Sequence, residues 1–100
     1  MEVRGIVVSF EDGIQVAKNG GGSYLGARFS YRDEAGALKE KGFHNNVFKF
    51  NGLLKTQLSN LTSGQHFVMV TEKEGEFWNV KSVLPAPEPQ ETGQTGPKGD

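Results

Sequence analysis

The prolines of this chain all lie between Pro85 and Pro97, and the segment 1–84 contains none. Because proline removes a donor from the strand ladder, a proline-free segment of this length fits a sheet-rich domain. The segment after Leu84 has no aliphatic side chain beyond Ala86 and cannot bury enough surface to offset its ordering entropy. The sequence therefore predicts one folded domain over residues 1–84 and a disordered Pro/Gly-rich tail over residues 85–100.

Short apolar and β-branched segments separated by turn signals indicate about five strands in this domain. The predicted strand segments are residues 3–10 and 14–18 on either side of an Asp-Gly turn, then 24–32, 37–50, 65–73 and 76–84. A bulge near Gly42 is expected within the long 37–50 segment.

Between the third and fourth strands the apolar spacing changes. Leu54, Leu58 and Leu61 recur at i, i+4 and i+7, which predicts a short amphipathic helix over residues 53–61. Asn51 is placed to cap the start of this helix. A helix between strands 3 and 4 is typical of a five-stranded OB-fold, a small Greek-key barrel. We therefore expect an all-β domain of this kind with one small α element.

The segment 24–32 has the alternation of a strand with two different faces. Residues i and i+2 share one face of a strand, so Tyr24, Arg28 and Arg32 are expected on the face opposite Phe29. Gly26 lies on the same face as Tyr24 and is expected to leave room beside its ring. A ring combined with cations on one face is a surface that suits single-stranded nucleic acid.

A glycine-rich loop, residues 19–23, leads directly into this strand. Its spacing fits neither the phosphate-binding loop of ATPases nor the dinucleotide-binding fingerprint. The loop is either a plain hairpin loop or a clamp over a bound strand.

The order of several weak motifs resembles the OB-fold single-stranded DNA-binding proteins of bacteria and their phages. The resemblance covers about residues 3–84 and includes Asn-Gly-Gly at 19–21, Phe43-His44 and the segment 48–52 that enters the helix. Members of the family carry several tryptophans on the binding face, whereas this chain has only Trp78. The tail of this chain also lacks the acidic-hydrophobic tip found in the family. The resemblance implies binding of single-stranded DNA in replication, recombination or repair, a phage origin and the cytoplasm of a bacterial host. Because one small barrel offers few phosphate contacts, we also expect self-association into a dimer or higher form.

The residues expected to bind nucleic acid fall into two groups. Tyr24, Phe43 and Trp78 are the candidate base-stacking rings, although each could belong to the core instead. Phe10, Phe29, Phe50 and Phe67 have the spacing of core residues, and one of the neighbouring rings Phe77 and Trp78 is expected to face inward. The candidate phosphate contacts, any of which could be a solvated surface charge, are Lys18, Arg28, Arg32, Lys41 and Lys49, with Lys39 and Lys81 in addition.

Other function classes find little support in the sequence. The chain has no cysteine, its two histidines have no metal-ligand spacing, and no nucleophile elbow is present. We expect no enzyme activity, no cofactor, no metal and no membrane segment, and the N-terminal residues lack a secretory pattern. The segment 1–84 carries basic and acidic side chains in nearly equal numbers, so binding would depend on charge arranged on one face. The alternatives are a single-stranded RNA binder and an adaptor that binds protein.

Overall fold

The computed structural model describes residues 1–18 and 20–87. The strands and helices follow one another in the order β1 (Glu2–Ala17), β2 (Ser23–Asp33), β3 (Leu38–His44), α1 (Asn45–Phe50), α2 (Gly52–Asn60), β4 (His66–Glu74) and β5 (Phe77–Pro85). Asn19 in the glycine loop and residues 88–100 of the predicted tail lie outside the described residues. The predicted boundary after Leu84 falls inside β5, and the Ala86 backbone N–H still donates to the His66 carbonyl oxygen at 2.9 Å.

The five strands form one antiparallel sheet in the order β3-β2-β1-β4-β5. The chain is therefore mostly β, as predicted, with two short helices between β3 and β4 rather than one. Within the described residues, β3 and β5 do not pair with each other, so the sheet stays open between its two outer strands.

The predicted turn at Asp12-Gly13 does not end the first strand. β1 runs through it, and its pairing with β2 shifts register between Asp12 and Ile14, where Gly13 has a φ of 69°. A bulge absorbs one extra residue without reversing the chain, and glycine adopts this backbone conformation without strain. The interpretation of this Asp-Gly pair as a turn between two strands is therefore wrong.

The prediction of one long strand over residues 37–50 with a bulge near Gly42 is wrong in two ways, because β3 pairs with β2 without a register shift at Gly42 and the second half of the segment is helical. β3 ends at His44, and residues 45–50 form helix α1. The His44 side chain caps this helix, since its Nδ1 accepts a hydrogen bond from the Asn46 backbone N–H at 3.1 Å. Histidine is not among the favoured N-cap residues, and for this reason the sequence pattern does not reveal the helix start.

The helix predicted over residues 53–61 is confirmed as α2 within one residue at each end. Leu54 and Leu58 are fully buried in the core and Leu61 is 8% exposed, as their spacing predicts. Asn51 caps the helix as expected, because its Oδ1 accepts from the Leu54 backbone N–H at 3.2 Å.

Three aromatic rings form the centre of the core. The rings of Phe29 and Phe67 meet edge to face at 5.1 Å, and Tyr31 contacts both. Phe29 and Phe67 are buried as predicted, and Phe10 packs against the cluster with partial exposure. These contacts turn Phe29 and Tyr31 of β2 toward the core, so Arg28 and Arg32, on the opposite face of the strand, point away from it.

We predict that Asn51→Ala lowers the free energy of unfolding by about 2 kcal/mol. The substitution removes the α2 cap together with the bond that Asn51 Nδ2 donates to the Lys81 carbonyl oxygen at 3.0 Å. Asn51→Asp is the matched control, since it keeps the cap acceptor and loses only the donor. Urea unfolding should place Asn51→Asp between the wild type and Asn51→Ala. If Asn51→Ala were as stable as the wild type, neither bond would contribute to the fold.

Candidate functional site

The opening between β3 and β5 holds a groove of about 570 Å³. Phe43 and Val80, both buried, form its apolar floor, and the exposed rings of Phe50 and Trp78 stand at its rim. This volume falls within the range of about 300–1,000 Å³ that is usual for ligand sites. The groove is lined by Lys41, Gly42, Phe43, Val47, Phe50, Asn51, Glu74, Trp78, Asn79, Val80 and Lys81.

Trp78 is one of the two rim rings and is 49% exposed. The prediction that either Trp78 or Phe77 faces inward is wrong, because Phe77 is 73% exposed. In the sheet register Trp78 pairs with Lys73 and Phe77 pairs with Glu74 of β4, in a stretch where both strands are exposed to solvent. A hairpin that extends past the core leaves both faces in solvent, so alternation there does not bury one ring.

Phe50 is the second rim ring, and its assignment to the core is wrong. Its side chain is 92% exposed, whereas Phe48, two residues earlier, is 8% exposed and stacks on Phe43 inside the core. Residues two apart share a face in a strand but point in different directions in a helix. The signal that could have revealed Phe50 is therefore the start of α1 at Asn45.

Two lysines line the groove on opposite sides. Among residues 1–18 and 20–87, Lys41 makes no ion pair, whereas the Lys81 ammonium lies 3.0 Å from Glu74. Hydrogen bonds from Lys81 and then from Asn79 lower the pKa of the Glu74 carboxyl, with a further contribution from the Lys81 charge. An exposed pair of this kind contributes little stability, so a phosphate can replace the carboxylate at Lys81.

The outer face of β2 carries Tyr24, Arg28 and Arg32, as the alternation predicts. The Arg28 guanidinium donates through Nε and Nη2 to Glu11 Oε1 at 3.1 and 3.0 Å. The Arg32 guanidinium donates to the Gly36 carbonyl oxygen at 3.1 Å, at the end of the β2–β3 hairpin. Both cations are exposed but already engaged with this chain's own oxygens, and neither lines the groove.

The other residues predicted to bind nucleic acid do not form one cluster. Phe43 is 3% exposed, so its burial does not fit the role of a ring offered to a base, and it serves as groove floor. Lys49 lies exposed in the last turn of α1, next in sequence to Phe50. Lys18 lies at the start of the glycine loop, where its backbone N–H donates to the Gly22 carbonyl oxygen at 3.1 Å, and Lys39 is exposed in β3.

Comparison of the chain with protein-family models finds no match, and neither do comparisons with curated proteins or with solved structures. The resemblance stated above therefore stays a prediction. Within residues 1–18 and 20–87, the structure has no helix long and apolar enough to cross a bilayer. The same residues include no group of three or more His, Asp or Glu side chains placed to hold a metal ion.

Proposed function

We propose that the protein binds single-stranded DNA in the groove between β3 and β5, without regard to base sequence. The observation that carries this proposal is the pairing of two exposed rings, Phe50 and Trp78, with two lysines around one groove. Rings of this kind stack on any base, and ammonium groups bind phosphates whatever the sequence. Such binding would protect an unpaired strand during replication, recombination or repair.

We also propose that the sheet is an open form of the OB-type barrel. In that fold the loops between strands 1 and 2 and between strands 4 and 5 border the oligonucleotide site. Here the glycine loop follows Lys18, and the β4–β5 turn around Gly75 lies next to the groove residues Glu74 and Trp78. The strand order and the position of the helices support this assignment.

The near-neutral charge of the domain limits the share of the binding affinity that phosphate contacts can supply. Lys81 and Arg28 are each paired with a carboxylate, so a polynucleotide has to displace Glu74 and Glu11 to use them. Salt weakens phosphate contacts with a slope of about −0.7 per contact for single strands. We therefore expect a small number of phosphate contacts and a larger share of the affinity from stacking.

The experiment is a titration of labelled oligo-dT at low and high salt, read by fluorescence anisotropy. Trp78 is the only tryptophan of the chain, so quenching of its emission places the base at the groove. Binding without quenching would contradict the groove as the site. Absence of binding at low salt would reject the function and leave the protein-binding adaptor, and equal binding of oligo-U would indicate an RNA binder. Measuring the mass of the free protein in the same samples tests the predicted self-association.

We predict that Trp78→Ala and Lys41→Gln weaken oligo-dT binding in different ways. Loss of the Trp78 ring should remove about 1–3 kcal/mol of stacking at every salt concentration and leave the salt slope unchanged. Loss of the Lys41 charge should reduce the slope by about 0.7. Leu84→Ala is the control, because Leu84 lies on the same strand as Trp78, is 42% exposed and does not line the groove. A uniform effect of all three substitutions would mean that the groove is not the site.

A further inference from the structure

We infer that Tyr24 and His44 form a second base-stacking position beside the groove, and that Gly42 is the positioning residue that holds Tyr24 there. This inference rests on the proposed function and extends it from one groove to a longer path for the strand. The sequence predicts no binding role for His44, and it predicts Tyr24 as a base-stacking ring on the same face as Arg28 and Arg32.

The position of the Tyr24 ring depends on residue 42 being a glycine, which has no side chain. A Cβ atom at Gly42 would lie 2.2 Å from the Tyr24 hydroxyl oxygen and 3.2 Å from Val16 Cγ1. The Tyr24 ring therefore reaches across from β2 over β3, next to Val16, with which it is paired in the sheet. Tyr24 is half-buried in this position and does not belong to the core cluster.

His44 completes the platform on β3. Its ring lies nearly parallel to that of Tyr24, with centroids 5.3 Å apart and an interplanar angle of 16°, and the residue is exposed to solvent. The hydrogen bond from the Asn46 backbone N–H holds the imidazole from one side through Nδ1. A ring that is already held in place loses little conformational freedom when a base stacks on it.

The platform adjoins the groove at Gly42. Gly42 and Lys41 line the groove, and the Tyr24 hydroxyl lies directly over Gly42. A strand that leaves the groove across β3 thus meets the Tyr24–His44 pair next, and Arg28 lies opposite Gly42 in the sheet register. Two aromatic positions joined by a residue without a side chain can hold successive bases of one strand.

The first test separates the ring of His44 from its role as a helix cap. His44→Asn removes the ring but keeps an acceptor for the Asn46 N–H, whereas His44→Phe keeps a ring and removes the acceptor. We expect His44→Asn to raise the Kd for oligo-dT of about 16 nucleotides roughly fivefold or more, and His44→Phe to stay within about twofold of the wild type. Quenching of Trp78 at saturation should be unchanged in both variants.

The second test addresses Gly42 and Tyr24 together. Gly42→Ala should displace the Tyr24 ring and raise the Kd roughly fivefold, while Tyr24→Phe should bind like the wild type. The double variant Gly42→Ala/Tyr24→Phe should regain most of the affinity, because the atom nearest the new Cβ is the hydroxyl oxygen and the next ring atom is 3.5 Å away. Thermal midpoints measured alongside verify that each variant is folded.

The outcomes distinguish this inference from the proposed function. The inference is overturned if His44→Asn binds oligo-dT as tightly as the wild type, or if His44→Phe, which loses the helix cap, is the variant that binds more weakly. It is also overturned if the double variant binds as weakly as Gly42→Ala. In each of these cases Trp78 quenching by oligo-dT still supports the groove. If the wild type does not bind at all, the proposed function itself fails, and the second stacking position fails with it.

Discussion

Phe29→Ala should lower the free energy of unfolding by about 3–5 kcal/mol, whereas Phe50→Ala should change it by no more than about 0.5 kcal/mol. Phe29 is fully buried and contacts the rings of Phe67 and Tyr31, so its removal leaves a cavity among aromatic side chains. Phe50 is 92% exposed at the groove rim, where truncation removes almost no contact.

Urea unfolding of both variants measures this contrast directly. The loss expected for Phe29→Ala is a large part of the roughly 5–15 kcal/mol that stabilises a domain of this size. If Phe29→Ala is too unstable to isolate, Phe29→Leu should still unfold at a lower urea concentration than the wild type. Equal destabilisation by Phe29→Ala and Phe50→Ala would mean that Phe50 is buried, as its spacing in the sequence indicates. Phe50→Ala should in addition weaken oligo-dT binding, which Phe29→Leu should not.

Gly26→Ala should destabilise the domain by about 3 kcal/mol, at the upper end of the range for an overpacked site. A Cβ atom at Gly26 would lie 1.9 Å from the Phe43 carbonyl oxygen and 3.2 Å from the His44 Cα. These are backbone atoms of the neighbouring strand, so no side chain can rotate to relieve the contact. β2 and β3 would have to separate at the point where β3 carries Gly42 and His44.

Gly52→Ala is the matched control for Gly26→Ala. Gly52 begins α2, and a Cβ atom there would have no neighbour within 4 Å. Alanine is the better helix former, so the control should be neutral or slightly stabilising. Thermal unfolding of the two variants decides the matter. A Gly26→Ala protein with the wild-type midpoint would show that the strands can separate at little cost and that the close approach is not required.

The same contacts explain why two glycines in neighbouring strands have different roles. At Gly26 the obstacle to a side chain is backbone, whereas at Gly42 it is the end of the flexible Tyr24 side chain. We therefore expect Gly26→Ala to act on stability and Gly42→Ala mainly on ligand binding. The alternation along β2 predicts that Gly26 leaves room beside the Tyr24 ring, and the structure gives that role to Gly42.

The outward position of two cations could be predicted from local sequence because it depends only on strand alternation. Arg28 and Arg32 lie on the outer face of β2 because Phe29 and Tyr31 face the core. The helix start at Asn45 is not predictable in the same way, since an unusual cap residue begins it. When that helix is taken as strand, the alternation places Phe50 in the core, whereas Phe50 is 92% exposed. Phe43, proposed as a stacking ring because its neighbours are polar, is buried at 3% exposure.

What the sequence by itself determined is the set of local patterns: a proline-free sheet domain, the leucine stripe of α2 and the outward face of β2. The first follows from the absence of proline and the other two from the period of side chains along one element, so none of them depends on a packing partner. Only the tertiary structure decided where the groove lies, because it forms between β3 and β5, which both helices and β4 separate along the chain. Three features depend on which element packs beside each residue: the exposure of Phe50, the burial of Phe43 and the position of the Tyr24 ring over Gly42. Local periodicity contains no information about these packing neighbours.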